Sequence, residues 1–311
     1  MDRQKGPKIF QTPRCFQLSL VLSVLFSGNP HSQAACYNPR VMTSLLNQAL
    51  KLKYEPVAII WTDEFPSNAV SFAPGKWGCV MALFATVAQR GRVAAFSREA
   101  FGCWGGGVGL GFGNAYLGFP GGVACFCSFL SDGNEKTETG RTVANQCASW
   151  MRGELYEHFL HGERYRKEPQ LVAEWIESLP ITEVPTRYVV FKQMRHLTED
   201  EQPVAVVFLA NPDQMSALVV MANYGRGDSE NAIIPHGAGC QSIGIFTYRE
   251  AKAARPRAVV GLNDISARRQ LRRLGSDLVT VSVPFALYEE MEANVAGSFL
   301  EKDQWKSLLE G

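Results

Sequence analysis

The sequence predicts an α/β (α+β) fold: two pseudo-repeated α/β halves, about residues 54–130 and 187–294, forming one compact domain with a mixed sheet. Three observations carry this. Apolar runs of strand length, PVAIIW at 56–61 and PVAVVF at 203–208, alternate with stretches of helical periodicity. Each of these two runs is followed, after a loop, by Gly-Cys, a helix, an Arg-x-Arg turn and a small apolar strand. Those strands are VAAF at 93–96 and AVVGL at 258–262, so one element order occurs twice. Finally, 311 residues at 46% hydrophobic and 20% charged are enough to bury a large core.

Taken in order, Val41, Leu45, Leu46, Ala49 and Leu50 recur at helical spacing over 41–52. Tyr54-Glu55-Pro56 breaks this helix, and 57–61 reads as a buried strand. A loop rich in Pro, Ser and Gly leads to Gly78-Cys79, a helix over 80–89, the turn Arg90-Gly91-Arg92 and a strand over 93–96. The stretch GCWGGGVGLGFGN at 102–114 reads as a thiol-presenting turn with a flexible, close-packing backbone behind it. The apolar run 123–130 reads as a strand that places Cys125 and Cys127 on one face. Residues 137–178 are helical in pattern, and 187–194 and 203–209 are strands. Asn211 is a natural N-cap and Pro212 a natural first residue for a helix through 222. Gly239-Cys240 opens a further helix to about residue 254, then a strand spans 258–262. A short basic helix, a strand at 278–283, a helix from Pro284 and a packing helix near 305–309 complete the domain, taken as 39–311.

Residues 1–38 are set apart. A basic start (Arg3, Lys5, Lys8, Arg14), an apolar run over 16–26 and Ser32-Gln33-Ala34 have the layout of a secretory signal peptide. The run is too short for a stable transmembrane span. Met42 equally begins a plausible soluble start, which would make this segment a foreign N-terminal extension. The first reading gives an exported protein and the second a cytoplasmic one.

The charge balance, 31 basic against 30 acidic residues, provides no footprint for nucleic acid. Arg268, Arg269, Arg272 and Arg273 are spaced like the solvated face of a helix. The glycines of 105–113 lack the G-x-G-x-x-G spacing of a dinucleotide loop, and no GxxxxGK[ST] occurs. Eight cysteines are too few for a disulfide scaffold in this length, and no CxxC pair is present.

The cysteines carry the most chemistry. Cys79, Cys103 and Cys240 each follow a glycine and each stand where an element begins. A helix start favours thiolate over thiol, and thiolate is both nucleophile and metal ligand. Burial as small apolar filler is the alternative for each of them. His236, four residues before Cys240, is a candidate base or ligand, or the maker of a loop hydrogen bond. His158 and His161 fit a solvated helical surface better than a metal site. Trp77 and Trp104 fit core packing or the walls of a ligand pocket.

The motifs KWGCVMAL (76–83), FGCWGGGVGLGFG (101–113), FLANPDQMSALVVMANY (208–224), HGAGCQSIGIF (236–246) and PRAVVGLNDISARR (256–269) resemble the domain of unknown function 169 family of bacteria and archaea. The resemblance runs from about residue 42 to 309. It implies that Cys79, Cys103 and Cys240 are recurrent positions. Many members carry a further cysteine where this chain has Leu262-Asn263-Asp264, so Cys125 or Cys127 would have to supply a fourth thiolate.

Three functional readings result. In the first, Cys79, Cys103 and Cys240, with Cys125 or Cys127, ligate an iron–sulfur cluster, zinc or another soft metal in a redox or metal-dependent role. In the second, one cysteine is the nucleophile of a thiol enzyme, with His236 as base. In the third, the halves enclose a small-molecule ligand in a non-enzymatic binding module.

Overall fold

The two runs that echo each other in sequence lie side by side in space. Val57–Thr62 (β1) and Pro203–Ala210 (β5) pair antiparallel at the centre of an eight-stranded sheet. The computed structural model describes residues 44–261 and 264–310, so the signal-peptide or extension reading of 1–38 lies outside the described residues. The other strands are Ala69–Val70 (β2), Val93–Phe96 (β3), Tyr188–Gln193 (β4), Ala232–Ile233 (β6), Ala258–Val260 (β7) and Val279–Pro284 (β8). Their order is β2-β3-β4-β1-β5-β8-β7-β6.

Exchanging β1 with β5, β2 with β6, β3 with β7 and β4 with β8 reverses that order, so it reads the same from either edge of the sheet. The pairing sense obeys the same exchange: β2–β3 and β6–β7 are parallel, while β3–β4, β7–β8, β1–β4 and β5–β8 are antiparallel. The duplication read from the sequence is therefore a twofold relation in the sheet, centred between β1 and β5.

Both faces of the sheet are covered, because alternate strand residues point opposite ways. Val57, Ile59, Phe96, Phe191 and Val207 face one core. It is closed by Val80–Arg90 (α2), Trp104–Leu110 (α3), Gly239–Ile243 (α9) and Ile245–Ala251 (α10). Ala58, Ile60, Val190, Phe208 and Val281 face the other. There Leu45–Leu50 (α1), Pro212–Tyr224 (α8), Phe285–Ala293 (α12) and Asp303–Leu308 (α13) pack. Asn211 makes the expected cap on α8, a reciprocal capping box with Gln214.

The halves diverge beyond their third strand. After β7 comes only Ile265–Leu271 (α11) before β8. After β3 the chain makes a long helical excursion: α3, Gly122–Leu130 (α4), Glu138–Cys147 (α5), Glu154–His161 (α6) and Pro169–Ser178 (α7). This excursion builds one wall of the site.

Two expectations are corrected here. The run 123–130 is helix α4, not a strand. Its unbroken apolar character fits burial on all sides, which periodicity alone cannot divide between strand and helix. Cys125 and Cys127 therefore lie about 200° apart around a helix instead of sharing a strand face. The glycine run is likewise a helix, α3, not a flexible turn. Its glycines serve close packing: a side chain at Gly109 would meet the backbone carbonyl carbon of Cys240 at 2.7 Å, and one at Gly244 would strike the Gly109 carbonyl oxygen.

Candidate functional site

Four helices begin at one place on the first face. Cys79 is the N-cap of α2 and Cys103 the N-cap of α3, where its Sγ accepts the Gly106 N–H at 3.3 Å. Asp264 is the N-cap of α11 and accepts the Ala267 N–H at 2.7 Å. Its other oxygen accepts the N–H of Gly239, the first residue of α9, at 2.5 Å. Cys240 is the second residue of α9, and its thiol donates to the Gly105 carbonyl at 3.2 Å.

The twofold relation orders these groups. Cys79 and Cys240 come from the helices that precede β3 and β7; Cys103 and Asp264 cap the helices that come after them. Sequence reasoning singled out the three cysteines and passed over Asp264. The available signal was positional, since Asp264 stands in the second half where Cys103 stands in the first.

Burial dominates the electrostatics. It pushes the Cys103 thiol up to about 12, helped by the neighbouring charge of Cys79. Cys240 is pushed well above the usual thiol range, by burial first and then by Cys103, Cys79 and Asp264. Cys79 is also raised, mainly by burial. The expectation that helix starts favour thiolate is thus overturned, because desolvation exceeds the help of the backbone N–H groups. Burial raises Asp264 against the pull of its own backbone donors.

The remaining predicted groups lie apart. Cys125 and Cys127 are buried in α4, and burial alone raises their thiols; the charge of Cys125 acts on Cys147 of α5. Among the described residues, no group of three or more His, Cys, Asp or Glu side chains is arranged to hold a metal ion. His161 lies 3.2 Å from Glu135 at the surface, and Arg269 pairs with Glu154 at 2.7 Å.

Cys79, Cys103 and Asp264 border a cavity of about 420 Å³. Its aromatic wall comes from the helical excursion. Tyr116 stacks on Phe126 with centroids 4.0 Å apart, and Phe119 touches Trp104 at 4.9 Å, Phe126 at 5.2 Å and Phe129 at 5.3 Å. Trp77 and Trp104 both line it, as one reading of them required. Its polar side holds Glu163, Tyr165, Arg166 and His236.

Glu163 is pushed up to about 7 by burial and by the charges of Asp264 and Glu154. The His158 ring nitrogen lies 3.4 Å from it. His236 is lowered, by burial and then by the adjacent Arg166 guanidinium. Its Nδ1 lies 3.2 Å from Arg166 Nη2, and Trp175 donates to its carbonyl at 3.3 Å. Among the described residues the ring of His236 meets Arg166 and makes no hydrogen bond to a cysteine.

Residues 45–294 match the family described as domain of unknown function 169, "Uncharacterised ArCR". The chain belongs to that family. No curated protein matches the chain, and no solved structure does. Among the described residues, no helix is long and apolar enough to cross a membrane.

Proposed function

We propose that this domain 169 protein binds a small, largely apolar molecule in the cavity bordered by Cys79, Cys103 and Asp264. One observation carries the reading: both halves and the helical excursion converge on a single aromatic-walled cavity of about 420 Å³ with titratable groups on one side. That is the usual form of a small-molecule site, apolar walls with a few placed polar groups.

Gly105 gives a direct test. It lines the cavity, and a side chain there would meet open space. A naphthalene-sized probe such as 2-naphthol should raise the melting temperature of the wild-type chain, since binding the native state stabilises it by mass action. The cavity-filling variant Gly105→Phe should fold and lose that response. An equal response in both forms would place the probe elsewhere and refute the reading.

A second reading has its own support. Cys79, Cys103, Cys240 and Asp264 form a quasi-symmetric set in which charge on Asp264 opposes ionisation of all three thiols, and charge on Cys79 opposes that of Cys103 and Cys240. A soft metal ion or an iron–sulfur cluster would relieve that repulsion and draw the four side chains together, with Asp264 in the fourth position in place of Cys125 or Cys127. Anaerobic reconstitution with iron and sulfide tests it. Visible absorption that is gained on reconstitution and lost in Cys103→Ser supports the reading, and a colourless protein with no bound iron or zinc rejects it.

A further inference from the structure

Arg166 lines the pocket with no carboxylate to meet its charge among the described residues. Its backbone N–H is tied to the Leu130 carbonyl at 3.3 Å, so its base is fixed against the end of α4 and the aromatic wall. Its Nε is buried and has no hydrogen-bond partner among the described residues. It forms no ion pair with a carboxylate among the described residues, although Arg269 takes Glu154 and Arg249 and Arg257 share Glu250. The guanidinium is half-buried, and a buried N–H left without a partner is destabilising unless a group from outside the chain completes it.

The neighbour of Arg166 adds a second donor. A guanidinium has donors only, so His236 Nδ1 must accept from it. The imidazole is then neutral, with its proton on Nε2, in keeping with the lowering of its pKa beside Arg166. Arg166 and His236 together offer the cavity a fixed positive charge and a second N–H donor. The other charges around the cavity are either engaged or, like that of Arg152, exposed to solvent. Asp264 accepts two backbone N–H groups, Arg269 is paired, and exposed Arg152 donates Nε to the Ser149 carbonyl at 3.2 Å. Glu163 lies beside His158 and takes up a proton near neutrality, so it can remain uncharged next to an anion.

We infer that the occupant of the pocket carries a carboxylate, received by Arg166 and His236, while its apolar body lies on the wall formed by Phe119, Phe126 and Phe129. The inference rests on the pocket reading and names the chemical class of its ligand. Arg is suited to this work because its planar fork matches a carboxylate.

Titration calorimetry on the full chain with three probes of one shape tests it: 2-naphthoate, neutral 2-naphthamide and cationic 2-naphthylmethylammonium. The carboxylate should bind about tenfold or more tightly than the amide, with the ammonium weakest. Arg166→Gln should remove that preference by weakening naphthoate about tenfold, while amide affinity, which reports an intact pocket, stays within about twofold. Arg152→Gln should leave the preference in place. Amide or ammonium binding as tight as the carboxylate, or an equal loss of all three in Arg166→Gln, would overturn the inference while leaving the pocket reading standing. If none of the three binds, the pocket reading itself fails and the inference with it.

Discussion

Cys103 and Asp264 occupy equivalent places in the two halves, each capping the helix that comes after the third strand of its half and each accepting the N–H three residues on, at 3.3 Å and 2.7 Å. The carboxylate is the stronger acceptor and also holds the start of α9 through Gly239. Asp264→Asn keeps the cap oxygen for the Ala267 N–H but sets an NH2 against the Gly239 N–H, so it should lose about 1 kcal/mol, whereas Asp264→Ala, which removes both acceptors, should lose about 2–3 kcal/mol. Urea unfolding of both variants measures this. Equal losses would mean that the bond to Gly239, not the cap on α11, holds the helix starts together.

Burial of the thiols has a consequence for stability at high pH. The folded pKa of Cys103 is raised above the unfolded value, so its contribution is fully present below about pH 8.5. It declines as pH rises toward about 12. Cys240 acts in the same direction. Thermal melts should therefore show wild type losing stability between about pH 9 and 11 more steeply than Cys103→Ser. Parallel curves would contradict the account of these thiols as buried and protonated.

Glu163 gives the corresponding result at lower pH. Its folded pKa, about 7, lies above the ordinary carboxylate value, so its contribution is full below about pH 4.3 and lost as pH rises through 7. Asp264, Glu154, Tyr165 and His158 are the titratable groups that act on or beside it. Glu163→Gln should gain on wild type in melting temperature between about pH 5 and pH 8. A constant difference across that range would show that Glu163 titrates normally.

The glycines of α3 make a packing prediction. Gly109→Ala places a methyl group against the Cys240 backbone, which cannot move aside as a side chain could. The variant should lose about 1–3 kcal/mol, as overpacked sites do. Gly105→Ala, with open space before it, should be neutral or stabilising. Unfolding curves of the pair separate close packing from simple helix propensity, which would improve both.

Much of the fold was legible in the chain, and particular residues show why the rest was not. The repeated order of strand, Gly-Cys, helix and Arg-x-Arg turn predicts the duplicated sheet, because local apolar runs and turn residues fix those elements. The short strands β2 and β6, two residues each, exist only through pairing with β3 and β7 and leave no periodic trace. The run VACFCSFL carries no polar face on either period, so its helical state is set by what packs around it. Tertiary contact decides the glycine run in the same way: α9 approaches Gly109, while Phe101, Val80 and Ala115 crowd Gly106 and Gly107. At the site, Cys79, Cys103 and Cys240 were visible as residue types. Asp264, Glu163 and Arg166 draw their character from burial and from distant neighbours. Gly239 is 25 residues from Asp264 and His236 is 70 from Arg166, separations that no local window reports.

The central claim is that the aromatic cavity is a ligand site. Anomalous diffraction from crystals soaked with 2-bromonaphthalene tests it most directly, because bromine marks its own position. A bromine peak is expected inside the cavity, against Phe119, Phe126 and Phe129, and none there in Gly105→Phe. A cavity without bromine in wild-type crystals, or peaks confined to the outer surface, would contradict it.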